Sequence, residues 1–319
     1  MDAAKVLSPL GSRATREFFK NSDGLNLYYE DIEGSGPVLF FLYGLGCTIG
    51  HWKYLMADCW RQKQLGLADF RMIWMDYRGH GLSEKAEGQP VRLQQLAQDA
   101  VGLIHHLGIR KDVVYLGQSM GGNIALLAAR ENPSVCGGLV LQGTPPKGPS
   151  TTARLGPKIR RAWKSFAWLN HKNPAVVKSM YRAFPYLSGR TFHELVRFIG
   201  FNPRLVRRQD VEEYIQGLLA CDPNVFWDLV YDLETFDSAK FGASIQAPIL
   251  IMAGAKDNCV TMENAEYLAD SLPTSRLVVM EHGSHCPHLD DPDQFNQRVA
   301  QFLTELRITG NSIPVSPDL

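Results

Sequence analysis

The segment Gly117-Gln118-Ser119-Met120-Gly121 sets a serine midway between two glycines. A short apolar run, Val113 to Leu116, leads into it, and a helical pattern, Asn123 to Arg130, leads out. A serine on so abrupt a strand-to-helix turn is pushed into crowded backbone angles, and Gly117 and Gly121 keep neighbouring Cβ atoms out of the way. The five-residue pattern is short enough to arise by chance, and a purely structural glycine turn is the plain alternative; the strand and helix flanks make the signal specific. A serine hydroxyl is a poor nucleophile at neutral pH, so it needs a histidine to take its proton and a carboxylate to orient that histidine. In this setting the three occur in the chain order serine, acid, histidine. Downstream, Asp257 lies just past the apolar run Pro248 to Met252, and His282, His285 and His288 follow the run Leu277 to Met280. Catalytic groups in open α/β sheets collect at the carboxyl ends of strands, where all of these residues fall.

The elements that would hold them are legible as a rhythm. Apolar runs recur at Val38 to Tyr43, Met72 to Met75, Val113 to Leu116, Leu139 to Leu141, Pro248 to Met252 and Leu277 to Met280. They are continuous rather than alternating, as in strands covered on both faces. Helical patterns such as Arg92 to Leu107 lie between them, which predicts an α/β fold with a mostly parallel sheet and helices on both sides. Arg16 to Lys20 and Leu25 to Ile32, joined across Ser22-Asp23-Gly24, predict an antiparallel hairpin at one sheet edge.

After Leu141 the rhythm breaks, and Pro145 to Gly242 carries only helical stretches punctuated by prolines, which predicts a helical insertion. Lys147 to Arg208 holds 14 Lys/Arg and a single acid, Glu194, whereas Asp210 to Asp237 holds 8 Asp/Glu and no Lys/Arg. The expectation is that the two halves attract each other. The domain reading is a core of residues 1–144 and 243–308, an insertion of 145–242, and a loose polar tail of 309–319.

From about Arg16 to Leu306 the chain resembles the α/β-hydrolase fold superfamily. Beyond the serine motif, its acid loop reads Gly-x-x-Asp, matched by Gly254 to Asp257, and its histidine precedes a segment ending in acid-x-Pro, matched by His285 to Asp290-Asp291-Pro292. The resemblance therefore implies Ser119, Asp257 and His285 as the catalytic triad, with His282 and His288 as the plainer alternatives. It also implies an oxyanion hole from the backbone N–H groups of Leu45 and Met120. The family usually opens that loop with His-Gly, whereas this chain has Tyr43-Gly44-Leu45-Gly46, so Tyr43 must brace the loop differently. Ser284 stands where family members often have glycine, a departure expected to be sterically mild. Asp76, in Asp76-Tyr77-Arg78-Gly79-His80-Gly81, is expected to organise the turn beside the serine rather than to take part in chemistry. The insertion matches the position of the family's cap over the active site.

Composition narrows the function. The chain has 319 residues, 45% of them hydrophobic, enough for a large core. Lys+Arg 33 against Asp+Glu 33 leaves no net charge, which argues against nucleic-acid binding. Six scattered cysteines show no zinc-ligand spacing and read as reduced thiols. No metal and no cofactor is expected. The first twenty residues lack the apolar run of a secretory signal, and no run of about 18 apolar residues occurs anywhere, so no membrane span is expected and the cytosol is the default location. Within the insertion, Ile159, Trp163, Phe166 and Ala167 share one helical face opposite basic residues. Packing of that face on the core is expected ahead of peripheral membrane contact. The aromatics Trp163, Phe166, Trp168, Tyr181, Phe184, Phe192 and Trp227 suggest an apolar pocket. Nothing in the sequence sets an oligomeric state.

The resemblance implies a cofactor-free serine hydrolase acting on an ester or lactone of a moderately hydrophobic small molecule. Two alternatives stand beside it. One is a carbon–carbon bond hydrolase of vinylogous diketones, whose caps carry a carboxylate-binding arginine; the other is a ligand receptor of the same fold that hydrolyses slowly. Epoxide hydrolases and haloalkane dehalogenases of the fold use an aspartate nucleophile, so Ser119 argues against both.

Overall fold

The computed structural model describes residues 14–64, 69–85, 87–154 and 189–309, with isolated positions between 161 and 173. Eight strands form one sheet: β1 (Thr15–Lys20), β2 (Asn26–Ile32), β3 (Val38–Leu42), β4 (Arg71–Met75), β5 (Val113–Gln118), β6 (Cys136–Gln142), β7 (Ile249–Gly254) and β8 (Ser275–Met280). Their order across the sheet is β1-β2-β4-β3-β5-β6-β7-β8. The pairs β1/β2 and β2/β4 are antiparallel and the remaining pairs are parallel. The predicted hairpin is β1/β2, with β1 at the edge and Gly24 turning at a φ of 83°.

Both sheet faces are covered, which is why the strand sequences do not alternate. The major helices are α1 (Lys53–Gln64), α2 (Leu93–His106), α3 (Met120–Glu131), α4 (Gly189–Gly200), α5 (Arg208–Ala220), α6 (Pro223–Thr235), α7 (Met262–Ser271) and α8 (Pro292–Thr309). On one face Phe40 and Leu42 of β3 pack with Leu96 and Ile104 of α2, Ile124 of α3 and Leu268 of α7. On the other, Leu39 and Phe41 pack with Leu55 and Met56 of α1 and Phe295 and Phe302 of α8.

The strand order positions the site. From β3 the chain moves to one side to form β4, then crosses to β3's other side to form β5. The loops leaving β3 and β5 consequently diverge at their carboxyl ends and open a crevice, the usual place for ligands in such sheets. Beside it, Arg78 is almost wholly buried and makes two 2.7 Å bonds to Asp99 of α2 and one of 2.8 Å to Asp23 of the hairpin turn, tying the loop after β4 to both.

Between β6 and β7 the described residues hold helices α4, α5 and α6 and shorter helical turns. The segment around 159–167 and the tail after Thr309 lie outside the described residues, apart from isolated positions. Most of the insertion's basic half lies outside the described residues, so the expected attraction between its halves is not tested there. Four of its acids reach cations of the core: Asp210 and Glu213 share Lys53 at 2.5 and 2.7 Å, Asp222 meets Lys85 at 2.7 Å, and Asp232 meets Arg92 at 3.3 Å. Between the two halves, the described residues show the one-turn pair Arg208–Glu212 and a backbone bridge from Lys147 to Asp237. The acids sit on α5, α6 and the turn between them, which lie over α1 and the loops before α2. They therefore fasten the insertion to the core. No helix among the described residues is long and apolar enough to cross a membrane.

Candidate active site

Ser119 occupies the turn from β5 into α3 with φ 53° and ψ −119°. It and Asp112 are the only non-glycine residues of positive φ among the described residues. That conformation is strained for a residue with a Cβ. The turn closes because its neighbours have no side chains: a Cβ on Gly117 would lie 2.5 Å from the Gly121 carbonyl oxygen, and one on Gly121 would lie 2.3 Å from that of Leu42. Ser119 N–H donates to the Gln142 carbonyl at the end of β6, 2.8 Å away.

Two distant loops bring their side chains to it. His285 Nε2 lies 3.0 Å from Ser119 Oγ, and His285 Nδ1 lies 2.9 Å from Asp257 Oδ2. The other carboxylate oxygen of Asp257 accepts the backbone N–H groups of Cys259 and Val260 at 2.7 and 2.8 Å. With both Asp257 oxygens accepting, the ring presents Nδ1–H to the carboxylate and an unprotonated Nε2 to the serine. Burial works against a proton on His285, but the Asp257 charge, the bond to it and the charge of Asp290 outweigh burial and lift the imidazole above its ordinary 6.5.

The other histidines stand elsewhere. His282 is exposed and offers only its carbonyl, which accepts from Asn202 Nδ2. His288 is buried among Trp52, Phe295 and His51, with no hydrogen bond from either ring nitrogen and its proton affinity driven down by burial. Asp76 holds its own turn: its carboxyl accepts from Leu82 N–H at 2.9 Å and bonds to Tyr43, and burial raises it to about 6.

Leu45 lies in the loop after β3, and Met120 directly follows Ser119. Met120 opens α3, so its N–H has no acceptor within the helix. The loop after β3 closes on a Cys47 N–H to Gly44 carbonyl bond that leaves Leu45 N–H out. Tyr43 braces this loop. Its carbonyl accepts from Tyr77 Oη at 2.9 Å, while its own Oη accepts from Tyr77 N–H at 3.1 Å and bonds to Asp76. Tyr43 thus links the loops after β3 and β4. The insertion touches this loop as well: Leu45 packs against the apolar cluster of Trp227 and Val230 on α6. Of the other aromatics proposed for a pocket, Trp168 is exposed, and the side chains of Trp163, Phe166, Tyr181, Phe184 and Phe192 lie outside the described residues.

Several contributors carry no motif of their own. Gln142 Nε2 donates to the His285 carbonyl at 2.6 Å, so one residue supports both the serine's backbone and the histidine's. The one sequence hint is a glutamine closing an apolar run at a strand's carboxyl end. Gln118 is buried, with its Oε1 where a Cβ on Gly44 would fall. Asp290 accepts from Ser284 N–H at 2.6 Å, Ser284 Oγ at 2.5 Å and Asn202 N–H at 2.9 Å. Ser284 is more than a mild replacement for glycine, since its hydroxyl also lies 3.1 Å from the Gly200 carbonyl and joins the histidine loop to the insertion.

The sequence profile of the alpha/beta hydrolase fold matches residues 37–292. The chain belongs to that family, and it is a hydrolase. It is 27% identical over 300 residues to a 2-hydroxy-6-oxononadienedioate/2-hydroxy-6-oxononatrienedioate hydrolase of Dechloromonas aromatica, covering 92% of this chain and 97% of the relative. Among solved structures, an esterase from Exiguobacterium antarcticum is 22% identical with a TM-score of 0.71, covering 91% of this chain and 100% of its own. An enol-lactonase from Burkholderia xenovorans is 21% identical with a TM-score of 0.71, covering 90% and 100%.

Gln142→Leu leaves the partly buried His285 carbonyl without its donor, which costs about 1–3 kcal/mol. The expected outcome, measured on a chromogenic ester with circular dichroism as the folding control, is a kcat roughly tenfold to hundredfold lower with KM little changed. Unaltered kcat in the folded variant would show that Gln142 does not position the histidine.

Proposed function

We propose that this protein hydrolyses a carbon–carbon bond of a vinylogous diketone carrying carboxylate groups, with Ser119, His285 and Asp257 as its catalytic triad. The substrate class is carried by the nearly full-length similarity to relatives named as hydrolases of 2-hydroxy-6-oxo-dienedioates. The Ser119–His285–Asp257 hydrogen-bond line supports the chemistry. The enol substrate first takes its keto form. Ser119 Oγ then attacks the remote ketone carbon, neutral His285 Nε2 takes the hydroxyl proton, and the oxyanion is held by the Leu45 and Met120 N–H groups. Collapse breaks the bond between that carbon and its neighbour, and the electron pair passes into the conjugated 2-oxo acid. The imidazolium returns its proton to the leaving fragment, and the acyl group stays on Ser119. Water, deprotonated by the same histidine, releases it as a carboxylic acid.

A second reading, hydrolysis of an ester or lactone, is favoured by one observation. The triad and two amide donors suffice for it, and Leu45, in the loop that would hold the oxyanion, packs against the apolar side chains of Trp227 and Val230. Kinetics on a panel of 2-hydroxy-6-oxo-dienoates, 4-nitrophenyl esters and lactones separates the two. The proposal expects kcat/KM for a dienedioate to exceed that for esters by roughly 10²-fold or more. An ester or lactone ranking first would replace the substrate class, and a fully active Ser119→Ala would overturn the triad.

The pH profile follows from the raised pKa of His285. Only the neutral ring accepts the hydroxyl proton, so kcat/KM falls as pH drops through the folded-state pKa, and the acid limb lies above pH 6.5. Asp257→Asn removes the charge that raises it; the limb moves to lower pH and kcat falls by about 10⁴. A wild-type limb below 6.5 would mean that Asp257 does not stabilise the imidazolium.

A further inference from the structure

Cys259 lies two residues beyond Asp257 in the loop leaving β7. A carboxylate oxygen of Asp257, Sγ of Cys259 and a ring nitrogen of His285 all lie within 4.8 Å of one another. The ring nitrogen on the carboxylate's side is Nδ1, at 2.9 Å from Asp257. The Cys259 side chain is partly exposed, whereas Cys47, Cys59, Cys221 and Cys286 are buried. Its thiol donates a weak sulfur hydrogen bond to the Ile199 carbonyl at 3.7 Å. One sulfur, one imidazole nitrogen and one carboxylate oxygen form a donor set suited to zinc-class ions, which take such ligands at about 2.0–2.3 Å with tetrahedral geometry. Ligand atoms around one tetrahedral zinc stand about 3–4 Å apart, and these three already lie within 4.8 Å of one another.

We infer that Asp257, Cys259 and His285 form an inhibitory site for a zinc-class divalent cation. On binding, the Cys259 thiol releases its proton to solvent, and the proton on His285 Nδ1 is exchanged for one on Nε2. The ion then holds a thiolate, a carboxylate and a neutral imidazole, with water as the fourth ligand, and the net change is one proton released. A ring protonated at Nε2 cannot accept the Ser119 proton, and the Asp257 charge is engaged by the metal. Hydrolysis stops without any oxidation or loss of fold. The inference uses only the placement of three side chains and holds whichever substrate the enzyme cleaves.

The test titrates chelator-treated protein with ZnCl2 while following turnover of a 4-nitrophenyl ester. In parallel, CdCl2 is added to Ser119→Ala while following the ultraviolet absorption of a thiolate–cadmium bond. Zinc is expected to lower turnover roughly tenfold or more, reversibly with EDTA. Cys259→Ser, scored against its own zinc-free rate, should raise the half-inhibiting concentration by about 10–100-fold. The cadmium band should form in Ser119→Ala and vanish when Cys259→Ser is added. Equal inhibition of wild type and Cys259→Ser, no inhibition at all, or a cadmium band that survives the double substitution would overturn the site. Because the cadmium measurement needs no turnover, its failure is distinguishable from failure of the proposed reaction.

Discussion

Ser119 is held at a positive φ in a turn that a side chain on any adjacent glycine would prevent from closing. A non-glycine residue in such a conformation costs of order 1–3 kcal/mol and persists only where its surroundings over-determine it. Here those surroundings are backbone: Leu42 at the end of β3 and Tyr43 just after it crowd Gly121, the first turn of α3 crowds Gly117, and the Gln142 carbonyl takes the serine's N–H. Met120 N–H, at the head of the helix that follows, has no acceptor inside that helix.

Everything that meets Ser119 is then a matter of registering loops against that turn. The β7 and β8 loops approach so closely that a Cβ on Gly254 would fall 2.1 Å from the Ser284 carbonyl oxygen. Lys256 N–H donates to the Gly283 carbonyl at 2.9 Å, which keeps Asp257 and His285 at a fixed spacing. Gln142 joins the histidine loop to β6, Tyr43 joins the loop after β3 to the loop after β4, and Asp290 with Ser284 joins the histidine loop to the insertion. The insertion in turn is fastened by Lys53, Lys85 and Arg92 of the core. The insertion and the loop carrying His285 thus share direct hydrogen bonds through Ser284 and Asp290.

What sequence alone could show depended on whether the physics was local. The glycines at 117 and 121 flank the serine within five residues, and Asp257 and His285 each follow a strand by a few residues, so chain position marks them. The strands were legible because two-sided burial writes continuous apolar runs. Gln142, Tyr43 and Ser284 act through partners 143, 34 and 84 residues away, and their own neighbourhoods do not name those partners. The acidic stretch from Asp210 invited pairing with the nearest basic stretch, yet several of its partners lie more than 130 residues away on the core.

Reactivity of Ser119 itself is the most direct measure of whether the strained turn and its imidazole create a nucleophile. Purified protein treated with a fluorophosphonate and mapped by peptide mass spectrometry should carry one label, on the peptide containing Ser119. A folded protein that takes up no label, or takes it on another residue, would contradict the assignment.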